Sequence, residues 1–216
     1  MKIISFSLWG TEDKYCVGAI KNAQLAKILY PGWICRYYCS DSVPKEIIAK
    51  LDNKKNVQII KIEGQGDWSH AANRFISFED TEATHIITRD TDSRLSVREV
   101  LAVNEWIEQG TKAHIMRDHP FHFTPIMAGM FGILGGVIKT TKRMLQKPKN
   151  YYHYDQDQLL KHVLPLIEND CTIHDEFFAK RKFPTERNEY EYVGESFNEF
   201  DVPDARHHRA IVLFSQ

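Results

Sequence analysis

No apolar stretch of this sequence approaches the roughly 20 residues that a membrane-spanning helix needs. Met1–Leu8 turns polar too soon for a signal peptide, so the expected location is the cytoplasm. Basic residues nowhere form a block. Lys and Arg number 28 against 29 Asp and Glu, for a net charge of −1. Mixed signs leave no electrostatic face for nucleic acid or an anionic membrane. Cysteine is scarce, with four in 216 residues, and without a secretory signal free, mostly buried thiols are expected. Cys35 and Cys39 share one face of a strand, but no second pair completes a zinc site. Internal repeats, low-complexity tracts and clear linkers are also missing.

The chain is long enough for one domain with a full core. Apolar runs at Ile3–Leu8, Ile34–Cys39 and Val57–Ile62 read as strands. Between them, Val17, Ile20, Leu25, Ile28 and Leu29, then Ile47, Ile48 and Leu51, recur at helical spacing. This alternation predicts a doubly wound, mostly parallel α/β sheet flanked by helices. Further along, Ser69–Phe78 is expected as a helix, Ile86–Thr88 as a strand, and Ser96-Val97-Arg98-Glu99 as a capping box opening a helix that Gly110 ends. His114–Met116 reads as another strand and Gln156–Ile167 as a helix. From Lys180 the sequence turns polar, aromatic and irregular, which predicts a tail wrapped over the domain. Residues 1–95 and 96–216 are expected as the two halves of a single domain, the second including the C-terminal wrap.

The most informative segment is His85-Ile86-Ile87-Thr88-Arg89-Asp90-Thr91-Asp92. A buried strand here delivers Asp90 and Asp92 to its carboxyl end, where open α/β sheets bind ligands. Paired carboxylates suit Mg²⁺ or Mn²⁺, and such an ion neutralises a diphosphate leaving group. The pattern implies a metal-dependent transferase of nucleotide-activated sugars. Haloacid dehalogenase-type phosphatases also carry Asp-x-Asp after a buried strand, with the first Asp as nucleophile. They place it on the first strand and follow it with Thr or Val, where this chain has three earlier strands and Arg94. A non-catalytic domain that binds a sugar nucleotide or glycan is the third alternative.

Asp155-Gln156-Asp157 forms a second carboxylate pair at a helix start, after Tyr151-Tyr152-His153-Tyr154. Simple capping would account for it; so would a general base for an acceptor hydroxyl, or a group that holds the donor sugar. Asp118 and His119 follow a strand end, where they either line an acceptor pocket or form a simple polar loop. Gly129-Met130-Phe131-Gly132 either lets backbone approach a ligand or permits a tight bend. Trp9 and Trp68 fall in strand-end loops, where a ring can stack on a base or sugar.

Several stretches together resemble one family. Arg89-Asp90-Thr91-Asp92-Ser93-Arg94-Leu95, Arg98-Glu99, Met116-Arg117-Asp118-His119-Pro120 and Gly129-Met130-Phe131-Gly132 are similar to glycosyltransferases of the A-type fold. The group resembled is found in bacteria and in large DNA viruses that glycosylate their capsids, chloroviruses among them. Asp155-Gln156, Pro165-Leu166-Ile167, His174-Asp175, Phe183-Pro184-Thr185 with Arg187, and Tyr192-Val193-Gly194-Glu195 agree in order. The resemblance implies a GT-A-like fold with UDP or a related nucleotide across the first four strands. It implies that Phe6, Ser7 and Trp9 border the base and ribose, and that Arg74 reaches the diphosphate. Arg89 belongs to the same nucleotide-sugar motif. Asp90 would contact ribose or metal, and Asp92 would be the main Mn²⁺ or Mg²⁺ ligand. His174 would complete the metal shell, as in glycogenin-like enzymes. The implied partners are a nucleoside-diphosphate sugar and a glycan or glycoprotein acceptor. Two departures stand out: Asn73 replaces a common aromatic before Arg74, and Asp157 adds a second acid beside Asp155.

Overall fold

In a computed structural model, which describes residues 1–179 and 181–214, the strand–helix alternation runs as expected from the first residues. The elements are β1 (Lys2–Leu8), α1 (Asp13–Leu29), β2 (Trp33–Ser40), α2 (Lys45–Asp52), β3 (Val57–Ile62) and β4 (His85–Thr88). They continue with α3 (Val97–Gln109), β5 (Ala113–Arg117), β6 (Phe131–Leu134), α4 (Lys142–Leu145), α5 (Tyr154–His162), α6 (Leu164–Ile167), β7 (Cys171–Asp175) and α7 (His208–Phe214). The seven strands form one sheet in the order β3-β2-β1-β4-β6-β5-β7. β1 pairs in parallel with β2 and β4, β2 with β3, and β5 with β7. Only β6 runs against its neighbours, β4 and β5. Among the described residues no helix is long and apolar enough to cross a membrane.

Successive side chains of β1 point to opposite faces and so divide the core. Ile4, Phe6 and Leu8 join Ala19, Ala23, Leu51, Val103 and Trp106 beneath α1, α2 and α3. Ile3 joins Phe75, Phe78, Phe131, Leu159 and Ile167 on the other face. A sheet covered on both sides needs near-continuous apolar strands, which is why β1, β2 and β4 were legible as runs.

Ser5 and Ser7 interrupt that run because they hold the neighbouring segment. The Ser5 hydroxyl donates to the Arg74 carbonyl at 2.7 Å and the Ser7 hydroxyl to the Ala71 carbonyl at 3.0 Å, while the Arg74 amide donates to Ser7 Oγ at 2.9 Å. The segment Trp68–Glu79 is a succession of 3₁₀ turns rather than the expected α-helix. Its carbonyls are drawn to the sheet instead of the next helical turn. The expected helix over Gln156–Ile167 starts earlier, at Tyr154, and breaks at Val163. Pro165 has no N–H to donate to the carbonyl four residues back. β7 and α7 were not anticipated, the first because Thr172 and His174 dilute its apolar pattern. Past Lys180, itself outside the described residues, the chain is largely irregular and wraps the domain until α7.

Candidate active site

β1 has β2 on one side and β4 on the other, so the chain reverses its direction of winding there. Connections leaving two adjacent carboxyl ends in opposite directions open a crevice between them. A cavity of about 260 Å³ occupies this position, lined by Trp9, Arg74, Asp90, Asp92, Tyr152 and Asp155 among others. Three segments far apart in sequence meet there: the 3₁₀ turns, the loop after β4, and the first turn of α5.

Arg74 ties them together. Its Nη1 meets Asp90 Oδ1 at 2.5 Å and the Arg89 carbonyl at 3.0 Å, and its Nη2 donates to Asp155 Oδ2. The guanidinium is almost fully buried. Burial alone would weaken its hold on the proton, but the two carboxylates outweigh that and raise its pKa above the ordinary arginine value. Asp155 is fixed further by accepting the Gln156 amide at 2.9 Å, at the positive end of α5. Gln156 in turn accepts the Ala128 amide at 2.9 Å, which joins α5 to the loop before β6.

Asp90 remains about half exposed. It lies so close to Gly129 that a Cβ there would stand 1.8 Å from Asp90 Oδ2. The glycine therefore serves close approach of a side chain of this protein to backbone. Asp92 is more enclosed. Its Oδ2 accepts from Ser196 Oγ at 2.9 Å and lies 3.8 Å from Lys14 Nζ, and its carbonyl accepts the Phe197 amide at 2.8 Å. Burial and then the charge of Asp90 push the Asp92 carboxyl above the usual carboxylate range.

Among the described residues no three His, Cys, Asp or Glu gather into a ready-made metal cage. Mg²⁺-type sites need only one or two carboxylates when phosphates and water supply the remaining oxygens. Asp90 and Asp92 meet that requirement: two hard-oxygen side chains share one cavity, and their mutual repulsion already disfavours the second charge.

Other expected site residues lie elsewhere. Phe6 is fully buried and stacks on Tyr37 at 4.7 Å, so its ring belongs to the core rather than to a nucleotide. Ser7 is committed to the 3₁₀ turns. Arg89 turns inward, its Nε 2.9 Å from Glu99 Oε1, and both are buried. Asp157 points outward to the Tyr151 hydroxyl at 2.8 Å and does not line the cavity with Asp90 and Asp92. His174 is buried on β7, with β5 and β6 between it and β4. Its Nδ1 contacts His114 Nε2 at 2.8 Å, and its Nε2 is 3.4 Å from Glu105. It cannot reach an ion on Asp92.

Asp118 is completely buried and bonded to Arg98 at 2.8 and 2.9 Å, to Arg187 at 2.7 Å and to the Val193 amide at 2.9 Å. It anchors the C-terminal wrap and has no face toward a ligand. His119 does border open space, a second cavity of about 520 Å³ that shares His122, Met127, Tyr152, Gln156, Gly194 and Ser196 with the first.

Ser196 and Tyr15 are site residues that sequence reasoning missed, and Tyr152 was noted only as part of an aromatic run. Tyr152 stands 4.9 Å from Trp68, which is 6.2 Å from Trp9, so three rings form a wall at the mouth of the cavity. Nothing local to Ser196 marks it; it comes to Asp92 because the wrap is pinned to Asp118 through Val193.

No protein-family model and no curated protein matches the sequence. Among solved structures, TarS residues 1–349 from S. aureus match with a TM-score of 0.53 at 10% identity, over 82% of this chain. The 4-diphosphocytidyl-2C-methyl-D-erythritol synthase from Anaerococcus prevotii DSM 20548 matches with a TM-score of 0.47 at 11% identity, over 86% of this chain and 92% of that one. The chain spans 58% of the length of the TarS structure. At 10% identity the likeness to TarS is one of architecture: a GT-A-like, mostly parallel seven-stranded sheet flanked by helices.

Proposed function

We propose that the protein is a metal-dependent glycosyltransferase that moves a sugar from a nucleoside diphosphate, UDP being the best match, to a glycan hydroxyl. The observation that carries this reading is the convergence of Arg74, Asp90, Asp92 and Asp155 on one cavity at the switch point of the sheet. The resemblance of its ordered motifs to those of glycosyltransferases of bacteria and large DNA viruses supports it, as does the GT-A-like fold.

In the reaction, the bond between the sugar C1 and the diphosphate oxygen breaks, and the diphosphate leaves with the electron pair. The acceptor oxygen bonds to C1 and loses its proton. A Mn²⁺ or Mg²⁺ ion held by Asp90 and Asp92 would supply positive charge against the departing diphosphate. Arg74 adds a fixed cation at the base of the cavity, positioned in advance by its two carboxylates and so without reorganisation cost during reaction. Asp155 takes the acceptor proton if the anomeric centre inverts, and orients the donor sugar if it is retained. The rings of Trp9, Trp68 and Tyr152 offer faces for the base and ribose.

Calorimetric titration of UDP-, GDP- and dTDP-sugars, with and without Mn²⁺, tests this on wild type and Asp92→Ala. The expected result is Mn²⁺-dependent binding of one nucleotide class, weakened at least tenfold in the variant. Absence of nucleotide binding to the wild type overturns the reading, and phosphate release without an acceptor would favour the phosphatase.

A further inference from the structure

The two adjoining cavities differ in chemistry. The first holds Arg74, Asp90, Asp92 and Asp155. Among the described residues, the second has no Lys or Arg in its lining, and Asp157 is its one carboxylate. Its rim instead carries Phe121 and Phe123, which are 53% and 70% exposed, and its wall includes Tyr192, with Leu160 and Met127 beside it. Exposed phenyl rings gain nothing from solvent, and two of them flanking a cavity that opens into the charged one call for an apolar surface to cover them.

Two of its imidazoles, those of His119 and His122, contribute no cation. Burial, then the neighbouring rings and Arg187, holds His122 at a pKa of about 3, and burial lowers that of His119 as well. Both stay neutral near pH 7. An anionic occupant, whether a phosphate, a diphosphate or a uronic acid, would meet no lysine or arginine in the lining and would face Asp157. A pyranose ring differs: one face is a patch of C–H groups that packs on a phenyl ring, and its hydroxyls can bond the polar atoms of Gln156, Ser196 and Thr124.

We infer that the second cavity is the acceptor subsite and that the acceptor is an uncharged saccharide, its terminal ring packed on Phe121 and Phe123 with one hydroxyl directed into the Asp155 cavity. The inference rests on the transferase reading for its reaction, but not for its binding chemistry. It excludes acceptors carried on a lipid diphosphate whose phosphates must sit in this cavity.

Saturation-transfer NMR and calorimetry test it on the full chain with saturating UDP and Mn²⁺. The probes are methyl hexopyranosides, methyl 6-deoxyhexopyranosides, methyl xyloside and lactose, set against glucuronic acid and glucose 1-phosphate. At least one neutral glycoside is expected to bind at least tenfold tighter than either anion, and Phe123→Ala is expected to weaken it at least tenfold. UDP affinity should stay within twofold in the variant. Phe123 is mostly exposed, so folding does not depend on it; Phe121→Ala provides a second, independent variant. Tighter binding of an anion, no binding of any neutral glycoside, or affinity unchanged in both variants overturns the inference. Loss of UDP binding in the wild type would instead strike the transferase reading, and glycoside binding would still report on the second cavity by itself.

Discussion

Two clusters of arginine and carboxylate lie beyond the strand ends of this protein, and they are built to opposite ends. At the end of β5, Asp118 accepts from Arg98, Arg187 and the Val193 amide, and Arg98 also pairs with Glu176 at 2.7 Å. Asp118 has no exposed surface. At the end of β4, Arg74 is equally enclosed, but Asp90 is about half exposed and shares a cavity with a second carboxylate of raised pKa. The first cluster has spent its bonding capacity on protein and closes the C-terminal wrap. The second keeps oxygen atoms turned to open space. The types of residue are the same in both; unspent capacity is what suits the second to a ligand and leaves the first a structural joint.

That comparison breaks if the two respond alike to truncation. Asp118→Ala removes the buried carboxylate that Arg98 and Arg187 share, and removing one partner of such an arrangement costs about 3–5 kcal/mol. Urea unfolding should show that loss. Asp90→Ala removes a partly solvated partner, so a cost of about 1 kcal/mol or less is expected, with nucleotide affinity reduced at least tenfold. A variant of Asp90 that unfolds as readily as the Asp118 variant would make the β4 cluster structural too.

The next effect is one of pH. The unfolded chain protonates His122 near its ordinary value of 6.5, whereas the native ring resists until about 3. Between those values the unfolded state binds more protons, so stability is full above about pH 6.5 and falls as the pH drops toward 3. His122→Asn keeps an acceptor for the Asp118 amide, which now donates to His122 Nδ1 at 3.1 Å. It should flatten this acid limb in urea titrations between pH 7.5 and 4.5. A limb equally steep in the variant would mean that His122 is not the group responsible.

Asp92 has the opposite sign. Its native pKa is raised by burial and Asp90, so above that pKa its charge costs the native state stability. Without divalent ions, Asp92→Asn should raise Tm at neutral pH, and the gain should shrink as the pH falls and the wild-type carboxyl protonates. If Asp92 holds the ion as proposed, adding Mn²⁺ should raise Tm in the wild type alone. A variant less stable than the wild type at neutral pH would show that Ser196 and Lys14 already compensate the charge.

The fold was legible where local pattern and global role agree. Buried parallel strands must be apolar nearly throughout, so β1, β2 and β4 stood out, and Asp90 and Asp92 with them. Legibility failed where tertiary contacts override pattern. The 3₁₀ turns over Trp68–Glu79 follow from two serines on β1, and no periodicity within the segment records that. His174 resembles a ligand by its order in the motif series, yet the register of β7 on β5 sets it opposite Met116, in the interior. Ser196 reaches Asp92 through a wrap whose path depends on a buried carboxylate at position 118.

The finest test concerns two acids only two positions apart. Successive positions on a helix project about 100° from each other, so Asp155 and Asp157 cannot face the same way. Asp155 turns to Arg74 and lines the first cavity, while Asp157 meets the Tyr151 hydroxyl at 2.8 Å and borders the second but not the first. Asp155→Asn keeps the shape but removes the charge from Arg74 and the acceptor for a proton, so turnover with a UDP-sugar should fall by about 10²–10⁴ if Asp155 is the base. If it only orients the donor, the loss should be smaller and appear partly in donor affinity. Asp157→Asn should leave donor affinity within twofold, with any effect confined to acceptor KM. A larger loss of donor affinity in Asp157→Asn than in Asp155→Asn would reverse the assignment, since it would require α5 to rotate when substrate binds.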